Sequence, residues 1–238
     1  MEEKRIPELD LLRGLAVIGM LVVHFIFDLE YFGGWKLSLP FWLRIPQKYG
    51  HLIFILLSGI CATLGHRSFQ RGMVVFSCGL LVSYVTLYMD LILGYSDLRI
   101  WFGILHLLGF SMMVYPLFRD FLSWELGFLG TFMILAGMIF EQAAVRIPWL
   151  FPFGLCPETL FPGSDYFPVF PNFGWFLLGA AAGKLLYREK RSLLPWISRE
   201  NFLTSLFMAA GRNSLLIYLL HQPVLIMITF FIINQGAA

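Results

Sequence analysis

Charge is what this chain has least of: only 13% of its 238 residues are Asp, Glu, Lys or Arg, against roughly 25% in soluble domains. With 58% hydrophobic residues, that scarcity excludes a water-soluble globular protein and leaves an integral membrane protein. The net charge of +2 is too small for an electrostatic hold on nucleic acid. Cysteine is also scarce, and Cys61, Cys78 and Cys156 show no paired spacing, so no disulfide framework follows from them. No two histidines have the close spacing of a structural zinc motif, and no metal is expected. An internal repeat is missing too, which argues against an inverted-repeat transporter. The N-terminal apolar run continues too far, and with too many charges, for a cleaved leader, and is read as retained.

What remains is a succession of long apolar runs. The first span covers Leu9 to Tyr31. Phe32 to Lys48 is broken by prolines and cations and suits the membrane interface. Further spans run from about Tyr49 to Leu64, Met73 to Leu93, Arg99 to Phe118 and Leu126 to Phe140. Glu141 to Asn172, rich in proline and aromatics and holding Glu158 and Asp165, is the longest non-helical stretch, and loops of this length usually carry function. A sixth span follows over about Phe173 to Tyr187, then a basic connector, then a seventh over about Asn213 to Ile233. The fold expected is an all-α polytopic transmembrane bundle of about seven spans, in a single domain over residues 1–238.

Seven spans put the termini on opposite sides. With the N-terminus inside, the cytoplasmic set is Lys4, Arg5, Arg67, Arg71, Arg119, Lys184, Arg188, Lys190, Arg191 and Arg199, against Lys36, Arg44, Lys48, Arg99 and Arg146 outside. The bias favours N-in and C-out.

Within the first span, Asp10, Arg13, His24 and Asp28 fall on one face, inside an arc of roughly 60° at about 100° per residue. The rise of about 1.5 Å per residue separates the Arg13 and His24 backbones by roughly 16 Å, half the thickness of a bilayer core. Ionisable groups in hydrocarbon cost about 2.5 kcal/mol or more each, so a stripe of four implies a face turned toward protein or a hydrated path. The plainer alternative is an Asp10–Arg13 pair at the helix end and a His24 bonded to a neighbouring carbonyl.

Three further histidines lie in or beside apolar runs: His51 at the outer start of the second span, His106 two turns beyond Arg99, and His221 midway along the seventh. Singly, each reads as a packing residue; together with His24 they would make a site. Asn213 stands where a helix cap is needed. Gly179 and Gly183 have the small-xxx-small spacing of close helix crossings. Lys184, Arg188, Lys190 and Arg191 satisfy the positive-inside rule and are also suited to an anionic cytosolic ligand.

The runs ELDLLRGLAVIGMLVVHF (Glu8 to Phe25), HLIFILLSG (His51 to Gly59), RIWFGILHLLG (Arg99 to Gly109), NFGWFLLGAAAGKLL (Asn172 to Leu186) and GRNSLLIYLLH (Gly211 to His221) together resemble the catalytic domain of the heparan-alpha-glucosaminide N-acetyltransferase family and its bacterial relatives. The first run is also similar to the opening helix of the type-3 membrane acyltransferases, with an arginine followed eleven residues later by a histidine, here Arg13 and His24. The lysosomal member of the first family has an asparagine at the place of His24 and a histidine in the following loop. In this chain that loop, Phe32 to Gly50, contains no histidine.

The resemblance implies acyl transfer from acetyl-coenzyme A, bound on the cytosolic side as co-substrate, to an amine or hydroxyl of a sugar or glycan acceptor. It also implies a bacterial or archaeal plasma membrane and a lipid bilayer as the surrounding partner. Such chemistry needs a base, an oxyanion donor and positive charge for the coenzyme's phosphates. An imidazole of ordinary pKa near 6.5 suits the first need. The expected roles are therefore His24 as base or transient acyl carrier, Asp28 as its orienter, and Arg13 with Lys184 and Arg188 as the phosphate site. His51, His106, Asn213 and His221 are expected at the acceptor or the oxyanion. The rival readings are a proton-coupled transporter using the same histidines as a relay, and a scaffold using them as packing glue. Composition leaves the oligomeric state open, a homo-oligomer included.

Overall fold

Proline at the first helical position and acids in the first turn start a helix well, and a glycine able to take positive φ ends it. The longest helix of this protein uses all three. In a computed structural model, α1 spans Pro7–Gly33, with Glu8 and Asp10 in its first turn and Gly34 at φ 65°, whose N–H closes on the Leu29 carbonyl. The structure describes residues 6–94, 98–143, 147–157, 163, 165–197 and 201–236. Lys4, Arg5, Arg146, Glu158 and Arg199 lie outside them.

The other helices are α2 (Phe41–Leu64), α3 (Ser68–Leu93), α4 (Ile104–Val114, continued by a 3-10 turn over Tyr115–Phe118), α5 (Ser123–Phe140), α6 (Val169–Leu186), α7 (Phe202–Arg212) and α8 (Ser214–Gly236). A second 3-10 segment, Pro148–Phe153, lies in the long loop. No strand occurs among the described residues. Six helices, α1, α2, α3, α5, α6 and α8, are long and apolar enough to cross a membrane. The apolar stretch Ile104–Phe118 is shorter. The protein is thus an all-helical, integral membrane protein with roughly the number of spans its hydropathy implies.

Several boundaries differ from those read off the sequence: α3 begins at Ser68 rather than Met73 and α6 at Val169 rather than Phe173. α2 begins at Phe41 rather than near Tyr49, and Pro46 sits inside it. Pro46 falls in the second turn, where the amide it lacks removes one hydrogen bond near the helix start instead of breaking the middle. α4 starts at Ile104, not Arg99, because Gly103 is extended and caps it. The stretch after Arg188 is not all connector: α7 is a full helix.

The chain forms two compact units, residues 55–190 and residues 1–54 with 191–238, and the boundary falls within α2. In the first of these, close crossings rest on glycine. A Cβ at Gly179 would lie 2.2 Å from the Leu56 carbonyl oxygen, and one at Gly183 2.6 Å from Thr63 Oγ1, so the small-residue spacing in α6 does serve helix approach. Gly174 of α6 faces Gly130 of α5 in the same way. Arg99 pairs with Asp90 across the α3–α4 connection, N to O 3.4 Å.

In the other unit α1 is the spine. Gly14 packs on Phe207 and Gly211 on Asp10, so α7 runs antiparallel to the first half of α1. His24 meets His221 and Phe32 meets Phe230, so α8 runs parallel to the second half. The N-terminal end is tied by a carboxylate: Glu8, 3% exposed, accepts from the Ser192 hydroxyl at 2.6 Å and the Leu193 N–H at 2.7 Å.

Candidate functional site

The charged stripe of α1 is the face that its partners cover. Asp10, Gly14, Val17 and Asp28 are buried, while Leu12, Leu15 and Val22 on the opposite side are more than 40% exposed. These two sets are separated by about half a turn at 100° per residue. Burial therefore follows the polar face and exposure follows the leucines, the inverse of a soluble helix and the arrangement a lipid-facing surface requires.

On that stripe α1 brings two imidazoles together. The His24 and His221 rings lie edge to face with centroids 4.8 Å apart. His24 Nδ1 bonds the Met20 carbonyl at 2.9 Å, and His221 Nδ1 bonds the Tyr218 carbonyl at 2.5 Å. A carbonyl only accepts, so in both rings Nδ1 carries the proton, and a neutral ring offers its lone pair at Nε2. His221 Nε2 is buried with no hydrogen-bond partner among the described residues. His24 is half-buried and His221 is 8% exposed.

One turn beyond His24, Asp28 is fully buried and its Oδ1 accepts from Gln222 Nε2 at 2.7 Å. The carbonyl of Met20, not the Asp28 carboxylate, thus fixes the His24 ring. Gln222 carries no periodic signal in the sequence. The nearest hint is its place beside His221, as one of two adjacent polar residues in an otherwise apolar run. Asp28 Oδ2, Gln222 Oε1 and Thr229 Oγ1, all buried, are without partners among the described residues. At the other end of α1, Asp10 is buried with Oδ2 unpartnered among the described residues, and Arg13 is half-buried.

The remaining candidates lie elsewhere on the fold. Asn213 joins α7 to α8: its Nδ2 donates to the Ala209 carbonyl at 2.9 Å and its own carbonyl accepts from Ile217 N–H. His51 lies well inside α2 and is half-buried. His106, in the other unit, is 2% exposed and uses both nitrogens: Nδ1 accepts from the Gly103 N–H at 3.2 Å, and Nε2 lies 3.4 Å from Ser83 Oγ. Its ring stacks on Phe102 and meets Phe76 edge-on. Lys184, also in that unit, donates its ammonium to the carbonyls of Arg119 and Phe121, closing the chain between the 3-10 turn and α5. Arg188 is exposed just past the end of α6.

Chemically, the α1–α8 contact offers a base of fixed tautomer beside a second ring with the same tautomer, roughly 16 Å along one helix from a guanidinium. No group of three or more His, Cys, Asp or Glu side chains able to hold a metal occurs among the described residues. Comparison with known proteins adds one match: a family described as "Heparan-alpha-glucosaminide N-acetyltransferase, catalytic" aligns with residues 5–223. No curated protein and no solved structure matches the chain.

Proposed function

The chain belongs to the heparan-alpha-glucosaminide N-acetyltransferase catalytic family, and from that membership we propose that it moves an acetyl or other acyl group from coenzyme A, on the cytosolic side, to an amine or hydroxyl of a sugar or glycan acceptor. Membership carries the coarser activity, acetyl transfer by a membrane-embedded transferase. The finer reading is supported by one observation, the contact of His24 with His221 at 4.8 Å.

In the reaction the acceptor nitrogen or oxygen attacks the thioester carbonyl, the carbon–sulfur bond breaks, and coenzyme A leaves as a thiolate. The acceptor's proton passes to a base and from there to the sulfur, so the products are the acylated acceptor and the free thiol. His24 Nε2 is that base: its Nδ1–H is held by Met20, and an imidazole suits proton transfer near neutral pH. His221 lies against the ring that becomes positive, with its own Nδ1–H given to the Tyr218 carbonyl. Arg13 supplies positive charge for the coenzyme's phosphates at the end of α1 that the cation bias assigns to the cytoplasm. Lys184 serves the fold through two carbonyls.

Binding and turnover test the reading together. Purified protein in detergent is expected to unfold at a higher temperature with acetyl-coenzyme A, by about 2.7 kcal/mol at a hundredfold excess over Kd. It is also expected to pass labelled acetyl from coenzyme A to glucosamine or to a cell-wall glycan. A protein that is neither stabilised nor able to transfer label would contradict the proposal.

A further inference from the structure

The transfer chemistry leaves Asp28 and Gln222 without a task, although they form a buried hydrogen bond of 2.7 Å between α1 and α8. Asp28 is 0% exposed, so its carboxylate is enclosed by the protein itself. Nor does it hold His24, whose Nδ1 is bound to Met20. Keeping the pair is costly, because Asp28 Oδ2 and Gln222 Oε1 are buried with no hydrogen-bond partner among the described residues, and an unsatisfied buried polar atom destabilises a fold. A polar pair retained at that cost calls for a role beyond stability.

Its place on the two helices supplies one. Asp28 follows His24 by one turn on α1, and Gln222 is the next residue after His221 on α8. A slip of α8 by one residue along α1 would turn its face by about 100° and shift it by about 1.5 Å, carrying the amide away from the carboxylate. The ring contacts between the two helices, His24 with His221 and Phe32 with Phe230, contain no hydrogen bond. The Asp28–Gln222 bond is the directional contact, with a narrow range of allowed distance and angle.

Building on the acyltransferase reading, we propose that the Asp28–Gln222 hydrogen bond fixes α8 on α1 at the one register that sets His221 against His24, and thereby the ring geometry at which His24 Nε2 takes the acceptor's proton. Asp28 and Gln222 are positioning residues that act through His221. They are not catalytic residues.

Removing one partner alone strands the other, so the informative variant is D28L/Q222L, in which two apolar side chains replace the pair at little cost to folding. Steady-state kinetics with acetyl-coenzyme A, and with glucosamine or a cell-wall glycan digest as acceptor, are read for this variant, D28N and the wild type. D28L/Q222L is expected to lose about 10- to 100-fold in kcat, the scale of a misplaced catalytic group, with its KM for acetyl-coenzyme A within about twofold of wild type. D28N, whose amide oxygen still accepts from Gln222, is expected to recover most of that loss. A D28N protein as impaired as D28L/Q222L would overturn the proposal by showing that the carboxylate itself is used. D28L/Q222L at wild-type kcat would overturn it by showing that the pair sets nothing. Wild-type protein that transfers nothing to either acceptor would instead remove the acyltransferase reading, and this proposal with it.

Discussion

His24 and His221, from the first and last helices of the chain, meet edge to face at 4.8 Å, each with Nδ1 bound to a carbonyl one turn back along its own helix. Neither neutral ring carries a proton at Nε2. A His221→Phe substitution keeps an aromatic ring against His24 and removes the lone pair. It is expected to lower kcat by about tenfold or more, a part of what a positioned proton-transfer group contributes, and His221→Ala, which removes the ring as well, by more. Steady-state acetyl transfer reads both, and a His221→Phe protein at full kcat would show that the lone pair is idle.

Two glycines of α1 separate packing from propensity. A Cβ at Gly14 would sit 1.9 Å from the Phe207 carbonyl oxygen, while one at Gly19 has nothing within 4 Å. Gly14→Ala must push α7 away and is expected to cost about 1–3 kcal/mol. Gly19→Ala is expected to be neutral or to stabilise by up to about 1 kcal/mol. Thermal unfolding in one detergent ranks them, and equal midpoints would contradict the α1–α7 crossing.

Glu8 accepts two hydrogen bonds from Ser192 and Leu193 in a site that is 3% exposed. Glu8→Ala leaves the Leu193 N–H without its acceptor and is expected to destabilise by about 1–3 kcal/mol. Glu8→Gln keeps one acceptor oxygen and is expected to cost less. Faster proteolysis in the 187–197 segment of Glu8→Ala, and not of Glu8→Gln, would be the local signature.

Cys156 lies in the loop before α6, outside the spanning helices, and burial pushes its thiol above the ordinary value. The thiolate is the reactive form, so a raised pKa leaves less of it at any given pH. Alkylation of Cys156 by iodoacetamide, followed by peptide mapping between roughly pH 7 and 10, is therefore expected to rise at higher pH than for a small free thiol. Coincident curves would contradict the burial.

The α1 stripe was legible because its charges repeat at the helical period, and that period is enough to tell a covered face from a lipid-facing one. α7 was not. It has 11 residues, too few for a span, it follows a run of cations, and Thr204 and Ser205 interrupt its apolar pattern. The one available sign was Asn201, whose side chain does accept from the Leu203 N–H. Gln222 escaped for a different reason: its partner lies 194 residues away, and a lone amide in an apolar run has no periodicity. His106 looked like the other intramembrane histidines, and only the fold reveals that Gly103 and Ser83 occupy its ring. Local pattern fixes which face of a helix is polar, whereas the identity of the partner is set by tertiary contacts that no window of sequence contains.

The measurement that bears most directly on the account is transfer of labelled acetyl from acetyl-coenzyme A by wild-type protein and His24→Ala, purified in parallel and matched for unfolding temperature. The account predicts that His24→Ala loses about 100-fold or more of kcat, the contribution of a positioned general base, while acetyl-coenzyme A still raises its unfolding temperature. A folded His24→Ala protein transferring acetyl within a few-fold of wild type would contradict it.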